Sequence, residues 1–397
     1  MAPYKIAIVA DKFKGSLTAS QVTSIVAEAF SHLPQVEIVE IPMADGGDGT
    51  LEVIEHCVGE SIPIESIDPL GRDVAVKALL YSSGVICEMA QSTGICRLSP
   101  FERNPLLTSS YGFGLVIDTL ACKGFKKFLL GVGGSATNDV GIGMLSALGF
   151  RFYNSAGNQI KSRDATFVAP SHRGKLLSGA NLIEIAQIDD SDRPDYLKEL
   201  QIEVACDVEN PLFGERGATR IYGPQKGANA KMIEELERGV ISFAYRCREW
   251  SGRDLSMVKG AGAAGGIGYA LALFLNAKLR SGWRLLFDIA NVENRIREAD
   301  LIITGEGRVD RQSLYGKLLE GVLQLATKYR KRVWVVCGEN RLSTQELKSA
   351  GVEQLFSISQ IEPNKNMAIA SAKRFLTIKA QEAAKLLEVE LSSKVGL

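Results

Sequence analysis

Three short segments of this 397-residue chain combine glycine with charge: D-K-F-K-G-S at 11–16, A-D-G-G-D-G-T at 44–50 and G-E-G-R-V-D at 305–310. Lys12 and Lys14 stand before an apparent helix start, where free backbone amides also favour anions. With Ser16 they suit a phosphate or a substrate carboxylate. Asp45, Asp48, Glu306 and Asp310 are hard oxygen ligands, suited to magnesium or to accepting a hydroxyl proton. Gly46, Gly47 and Gly49 let backbone approach a ligand closely. Taken singly, each segment reads more simply as turn chemistry with solvated charges. Together, each following a predicted strand, they read as a site for phosphoryl transfer to a small acid.

Three further segments lie in the middle of the chain. G-V-G-G-S-A-T-N-D at 131–139 sets Ser135, Thr137, Asn138 and Asp139 beside flexible backbone between a predicted strand and a helix, and a functional reading stands slightly ahead of an ordinary turn with Asp139 near a cap. A-C-D-V-E-N-P-L at 205–212 places Asp207 just after an apolar run and Asn210 just before Pro211. Asp207 there is either a reacting acid or an acid in a turn. K-G-A-G-A-A-G-G-I-G at 259–268 contains G-x-G-x-x-G, but a poor strand precedes it and no clear βαβ unit surrounds it, so a dinucleotide-binding dehydrogenase is disfavoured and tight helix packing is the bland reading. G-x-x-x-x-G-K-[ST] is absent, as is the protein-kinase signature set.

These residues need elements to position them. Tyr4–Ala10 reads as a buried strand, and Val22, Ile25, Val26, Ala29 and Phe30 recur at helical spacing behind a Thr18/Gln21 capping box. Strands are also predicted over 36–41, 74–81 and 85–89, with a helix over 51–57. Beyond residue 300 strands over 301–304, 333–337 and 355–358 alternate with helices, the rhythm of a doubly wound parallel sheet. Between about 92 and 285 strands are less regular, with a strand over 126–132 and helices over 112–122 and 229–247. The fold expected is therefore α/β. Residues 1–90 and 286–397 form a discontinuous Rossmann-like domain, and 91–285 form an inserted second α/β domain.

Composition narrows the function classes. Lys+Arg and Asp+Glu number 46 each, which gives no ground for a nucleic-acid surface or an anionic membrane partner. The seven cysteines form no C-x-x-C pair, and three histidines have no metal-ligand spacing, which fits a reducing, cytoplasmic setting better than a disulfide framework or a zinc site. No apolar stretch approaches a membrane span.

At these same residues the sequence resembles the bacterial type I glycerate kinases. The likeness runs through D-K-F-K-G-S-L-T-A, P-M-A-D-G-G-D-G-T, E-M-A at 88–90, N-P-L-L-T-S-S-Y-G-F-G at 104–114, G-G-S-A-T-N-D, C-D-V-E-N-P-L-F-G, G-A-G-A-A-G-G-I-G and I-T-G-E-G-R-V-D-R-Q-S. It implies D-glycerate and ATP as substrates, magnesium as cofactor, 2-phosphoglycerate as product and a site in the cleft between two α/β domains. Under that resemblance Lys12, Lys14, Ser16, Gly46, Gly47, Ser135, Thr137, Asn138 and Asn210 are candidates to hold the substrate. Gly262, Gly265, Gly266, Gly305 and Glu306 are candidates to hold the nucleotide. Asp207, Asp45 and Lys14 are candidates for catalysis, with Asp207 as base and Asp45 and Asp310 on the magnesium side. The chain departs from the family pattern at Ala10, Val140, Ile142, Ser313 and Leu319. Rival readings are a kinase of another small hydroxy acid, a 3-phosphoglycerate-forming kinase and a non-catalytic ligand-binding protein. A homo-oligomeric state is left open.

Overall fold

The computed structural model describes residues 3–44, 50–58, 60–81, 84–161, 176–314 and 318–395. In chain order the strands are β1 (Tyr4–Ala10), β2 (Val36–Pro42), β3 (Glu60–Ile67), β4 (Asp73–Tyr81), β5 (Gly84–Glu88), β6 (Lys127–Gly131), β7 (Arg151–Tyr153), β8 (Gln187–Asp189), β9 (Gln201–Ala205), β10 (Lys278–Arg280), β11 (Leu301–Val309), β12 (Arg332–Asn340) and β13 (Gln354–Ser357). They fall into two compact units, one holding β1, β2 and the chain from Trp283, the other the chain from β3 to Gly282. No described helix is long and apolar enough to cross a membrane.

The first unit is built on a parallel sheet in the order β13-β12-β11-β1-β2. The central strands β1, β11 and β12 carry apolar runs, as expected where helices cover a sheet, whereas the edge strand β2 carries Glu37 and Glu40; Ile6, Ile8, Ile303, Trp334 and Val336 are buried with the helix Ala19–Phe30 and the helix Ala372–Val395 in one core. Thr18 and Gln21 close the expected capping box on the first of these helices. From β1 the chain moves outward to β2, whereas from β11 it moves the other way to β12 and β13. The reversal puts a topological switch point between β1 and β11, where open α/β sheets bind ligands.

The second unit is a six-stranded sheet in the order β10-β9-β6-β5-β4-β3. Four of its strands, β5, β6, β9 and β10, are parallel, and β3 and β4 extend it antiparallel. β7 and β8 pair separately. Its core centres on aromatic edge contacts among Phe150, Phe152, Phe243 and Phe274.

Two expectations are corrected here. The strands before residue 90 do not join the first sheet: β5 pairs with β6, and β4 and β3 follow by hairpin pairing. Their alternating burial suits an antiparallel extension as readily as a Rossmann strand, so periodicity alone could not assign them. The second correction concerns 305–310, expected as a loop. β11 runs on to Val309, because β12 is equally long and offers Glu306 and Arg308 ladder partners at Cys337 and Glu339.

Glu88 ends β5, is buried, and accepts from the backbone N–H groups of Thr50 (2.5 Å) and Leu51 (3.3 Å) at the start of the helix Thr50–Val58. A carboxylate on a helix's first amides satisfies donors that the helix itself cannot. Glu88→Ala strands them, and its chemical-denaturation midpoint is expected to fall by the equivalent of about 1–3 kcal/mol, with a normal far-UV spectrum.

Candidate functional site

In the second unit, the loops after the parallel strands leave one edge and are laced together. The loops after β5 and β6 are joined by Ala136 N–H to Thr93 C=O (3.0 Å) and Ile95 N–H to Gly134 C=O (2.8 Å). The loops after β9 and β10 are joined at Asp207, whose Oδ1 accepts from Ser281 Oγ (2.7 Å) and Gly282 N–H (2.9 Å). Asp207 itself is exposed.

The loop after β6 turns its polar side chains inward. Ser135, Thr137, Asn138 and Asp139 are all buried. Asp139 is held by Ser110 N–H (2.8 Å), Ser110 Oγ–H (2.7 Å) and Gly141 N–H (3.1 Å), with a longer bond from Gly143 N–H (3.4 Å). Burial raises its pKa, and these donors oppose the rise. Asn138 Nδ2 donates to Thr219 Oγ1 (3.0 Å). Val140 follows with φ +48°, a left-handed conformation in which a β-branched side chain is strained.

Sequence reasoning missed Lys226. It ends the turn Pro224–Lys226, is 3% exposed, and donates from Nζ to Ser135 Oγ (2.9 Å) and Thr137 C=O (2.6 Å). Burial pushes its pKa down to about 7, against the pull of Asp139. The only signal in the sequence was a lysine in the short turn G-P-Q-K-G at 223–227. Thr219 and Ser110 were missed for the same reason: their partners lie 81 and 29 residues away.

The glycine-rich 260–268 segment packs against this loop. A Cβ at Gly262 would meet Pro211 C=O at 2.3 Å, one at Gly265 would meet Thr137 C=O at 2.1 Å, and one at Gly266 would meet Val140 Cα at 2.9 Å. Gly265 also has φ +70°. Close backbone packing accounts for the absence of a side chain at these three positions. Asn210 Nδ2 donates to Arg216 C=O (2.7 Å) and Oδ1 accepts from Tyr222 Oη (2.7 Å), so its amide clamps the 205–222 segment.

In the first unit Lys12 and Lys14 follow β1 at the switch point, beside β11. Asp11 N–H donates to Gly305 C=O (2.9 Å), and the loop 11–16 passes so close to Gly307 that a Cβ there would lie 3.2 Å from Lys14 N. Lys14 and Ser16 are exposed, and Ser16 Oγ donates to Phe13 C=O (3.0 Å). Gly305 is closed in by Val336 and Ala10, so its small size is also a packing matter, while Glu306 stands beside it on β11. Asp45, Gly46 and Gly47 lie outside the described residues.

Asp310 is engaged within its own segment. Its Oδ1 accepts from Gln312 N–H (2.9 Å) at the start of the turn Arg311–Leu314, and its Oδ2 pairs with Arg308 Nε (2.9 Å). Among the described residues no group of three or more His, Cys, Asp or Glu side chains is arranged to hold a metal ion.

The described loops can therefore offer cations, hydroxyls and amides to a small anion in a polar setting. The model of the glycerate kinase family matches residues 6–388. The chain belongs to the glycerate kinase family. Its class is that of a kinase. It is 36% identical over 387 residues to a glycerate kinase of Haemophilus influenzae, covering 96% of this chain and 98% of that one. It is 38% identical over 358 residues to a glycerate 2-kinase of Escherichia coli, covering 89% and 90%. A crystal structure of a protein assigned as glycerate kinase 2 from Salmonella typhimurium superposes with a TM-score of 0.80 at 34% identity, covering 98% of this chain and 100% of that one. The resemblance carried by the motifs is borne out, as is the α/β fold with parallel sheets.

Gly265→Ala drives a methyl group into Thr137 C=O at a left-handed position. Its unfolding midpoint is expected to drop by the equivalent of roughly 2–4 kcal/mol, measured by thermal and denaturant melts. Gly157→Ala, at a positive φ with open space around it, serves as the comparison and loses less.

Proposed function

We propose that this protein transfers the γ-phosphate of ATP to D-glycerate, giving 2-phosphoglycerate and ADP. The observation that carries the reading is similarity along nearly the whole chain to proteins named glycerate kinase, one of them a glycerate 2-kinase. The buried hydroxyls and amide of Ser135, Thr137 and Asn138 support it, since they match a small hydroxy acid better than an apolar substrate.

Phosphoryl transfer depends on positioning and charge stabilisation more than on covalent help from the protein. Lys12 and Lys14, at the switch point, are assigned to the transferring phosphate or the substrate carboxylate. The nucleotide is taken to bring magnesium held by its own phosphates and water, a mode that ion favours. Asp207 is assigned as the base that accepts the glycerate hydroxyl's proton late in transfer, with Asp45 next in order. An ADP-release assay across a panel of hydroxy acids tests the substrate, and comparison of the product with 2- and 3-phosphoglycerate by NMR tests the position. A better kcat/KM on another acid, or a 3-phosphorylated product, overturns the corresponding part.

Two variants test the residues. Lys14 is exposed, so Lys14→Ala should leave the melting temperature unchanged and lower kcat/KM by on the order of 10²-fold. Asp207→Asn keeps an Oδ1 that can accept from Ser281 and Gly282 while removing the base. It is expected to bind ATP normally and lose on the order of 10²-fold or more in kcat. A variant retaining most of its kcat returns Asp207 to a purely structural part.

A further inference from the structure

Lys226 has no place in the roles assigned above, yet it is the most deeply buried cation of the loop cluster. An ammonium has three donors, and two of them are used, on Ser135 Oγ and Thr137 C=O. Both acceptors are neutral. The charged group acting on Lys226 is Asp139, whose oxygens already receive the donors of Ser110, Gly141 and Gly143. A buried ammonium so provided is under-compensated, and burial accordingly weakens its hold on the proton.

The polar atoms around it are under-used as well. Thr137 Oγ1 and Asn138 Oδ1 have no hydrogen-bond partner, and both residues are fully buried. Thr93 Oγ1, at the end of the helix Met89–Thr93, is in the same condition. The amide nitrogen of Asn138 is committed to Thr219, so its oxygen is held in place without a donor. Each such atom costs about 1–3 kcal/mol when nothing satisfies it. A cation with a donor in hand, an amide oxygen and two hydroxyls are complementary to one kind of ligand: an anion that carries hydroxyl groups close to its charge. Ser135 and Lys226 keep 6% and 3% of their surface exposed while Thr137 and Asn138 keep none.

We infer that Lys226 receives the carboxylate of the acceptor substrate, which replaces Ser135 on Nζ, while Asn138 Oδ1 and Thr137 Oγ1 take the neighbouring substrate hydroxyls. The assignment rests on the hydroxy-acid reading above and adds the residue that fixes the acid's orientation. It has a consequence that a structural lysine would lack. An arriving carboxylate favours the ammonium form, so binding above neutral pH must draw a proton from solvent.

Calorimetric titration of D-glycerate into the full chain, with a non-hydrolysable ATP analogue present, reads this in buffers of differing ionisation enthalpy. Uptake approaching one proton is expected at about pH 8.5, and close to none at about pH 6, where Lys226 is already protonated. Lys226→Met should abolish the uptake and raise the KM for glycerate by about ten- to a hundredfold, with the KM for ATP unchanged. A folded Lys226→Met protein with an unchanged glycerate KM overturns the assignment, and so does a proton uptake that survives in that variant. Should that variant not fold, Lys226→Arg, whose charge is not lost near neutral pH, decides: it should bind glycerate with no proton uptake at either pH, and an uptake equal to that of the wild type overturns the assignment. A wild type that neither binds nor phosphorylates glycerate removes the substrate reading itself, an outcome separate from the others.

Discussion

A carboxylate with no exposure to water is tolerable only when its oxygens are supplied with donors, and the loop after β6 is arranged around meeting that demand for Asp139. Ser110 gives both its backbone and its hydroxyl proton, and its oxygen in turn accepts from Met144 N–H (2.9 Å). Gly141 and Gly143 supply backbone N–H groups from the other side. To bring them round, the chain passes through left-handed φ at Val140 and Gly141 in succession. A valine in that conformation costs about 1–3 kcal/mol, a strain that persists only where the surroundings over-determine it. Here they do: Val140 N–H is bonded to Gly265 C=O (3.0 Å), and its side chain is wholly buried.

Other features follow from this turn. Because Asp139 is drawn inward, Thr137 and Asn138 are buried too, and Lys226 and Thr219 must reach them from a separate segment. Because Val140 and Thr137 press outward on the other side, Gly265 and Gly266 can carry no side chain. The motif strings at 104–114, 133–139, 206–214 and 260–268 are thus parts of one packed arrangement. The departures at Val140 and Ile142 fit within it as fully buried core residues.

Each sheet uses its carboxyl edge. In the five-stranded sheet the order of strands reverses between β1 and β11, and the lysine-bearing loop lies at that reversal. The six-stranded sheet has no reversal among β5, β6, β9 and β10, and there the loops are tied side to side by hydrogen bonds. Asp207 holds the start of the helix Gly282–Ile289, and that hold fixes the position of an exposed carboxylate.

The sequence by itself determined the parallel βα rhythm at both ends, the capped helix after β1, and the segments in which the polar residues gather. These depend on local periodicity, capping and turn chemistry, which neighbouring residues carry. It also carried the family, through long ordered strings. It could not place the strands over 60–88, since a half-buried strand carries no mark of the sheet that it joins. Nor could it show what presses on each glycine: at Gly262, Gly265 and Gly266 the close neighbours are 51 to 128 residues away in the chain. The commitments of Asp310 and Asn210 and the burial of Lys226 were decided only by tertiary structure. Whether a charged side chain is solvated, paired or buried is a property of what folds against it, and at Lys226 those partners lie 91 and 89 residues distant.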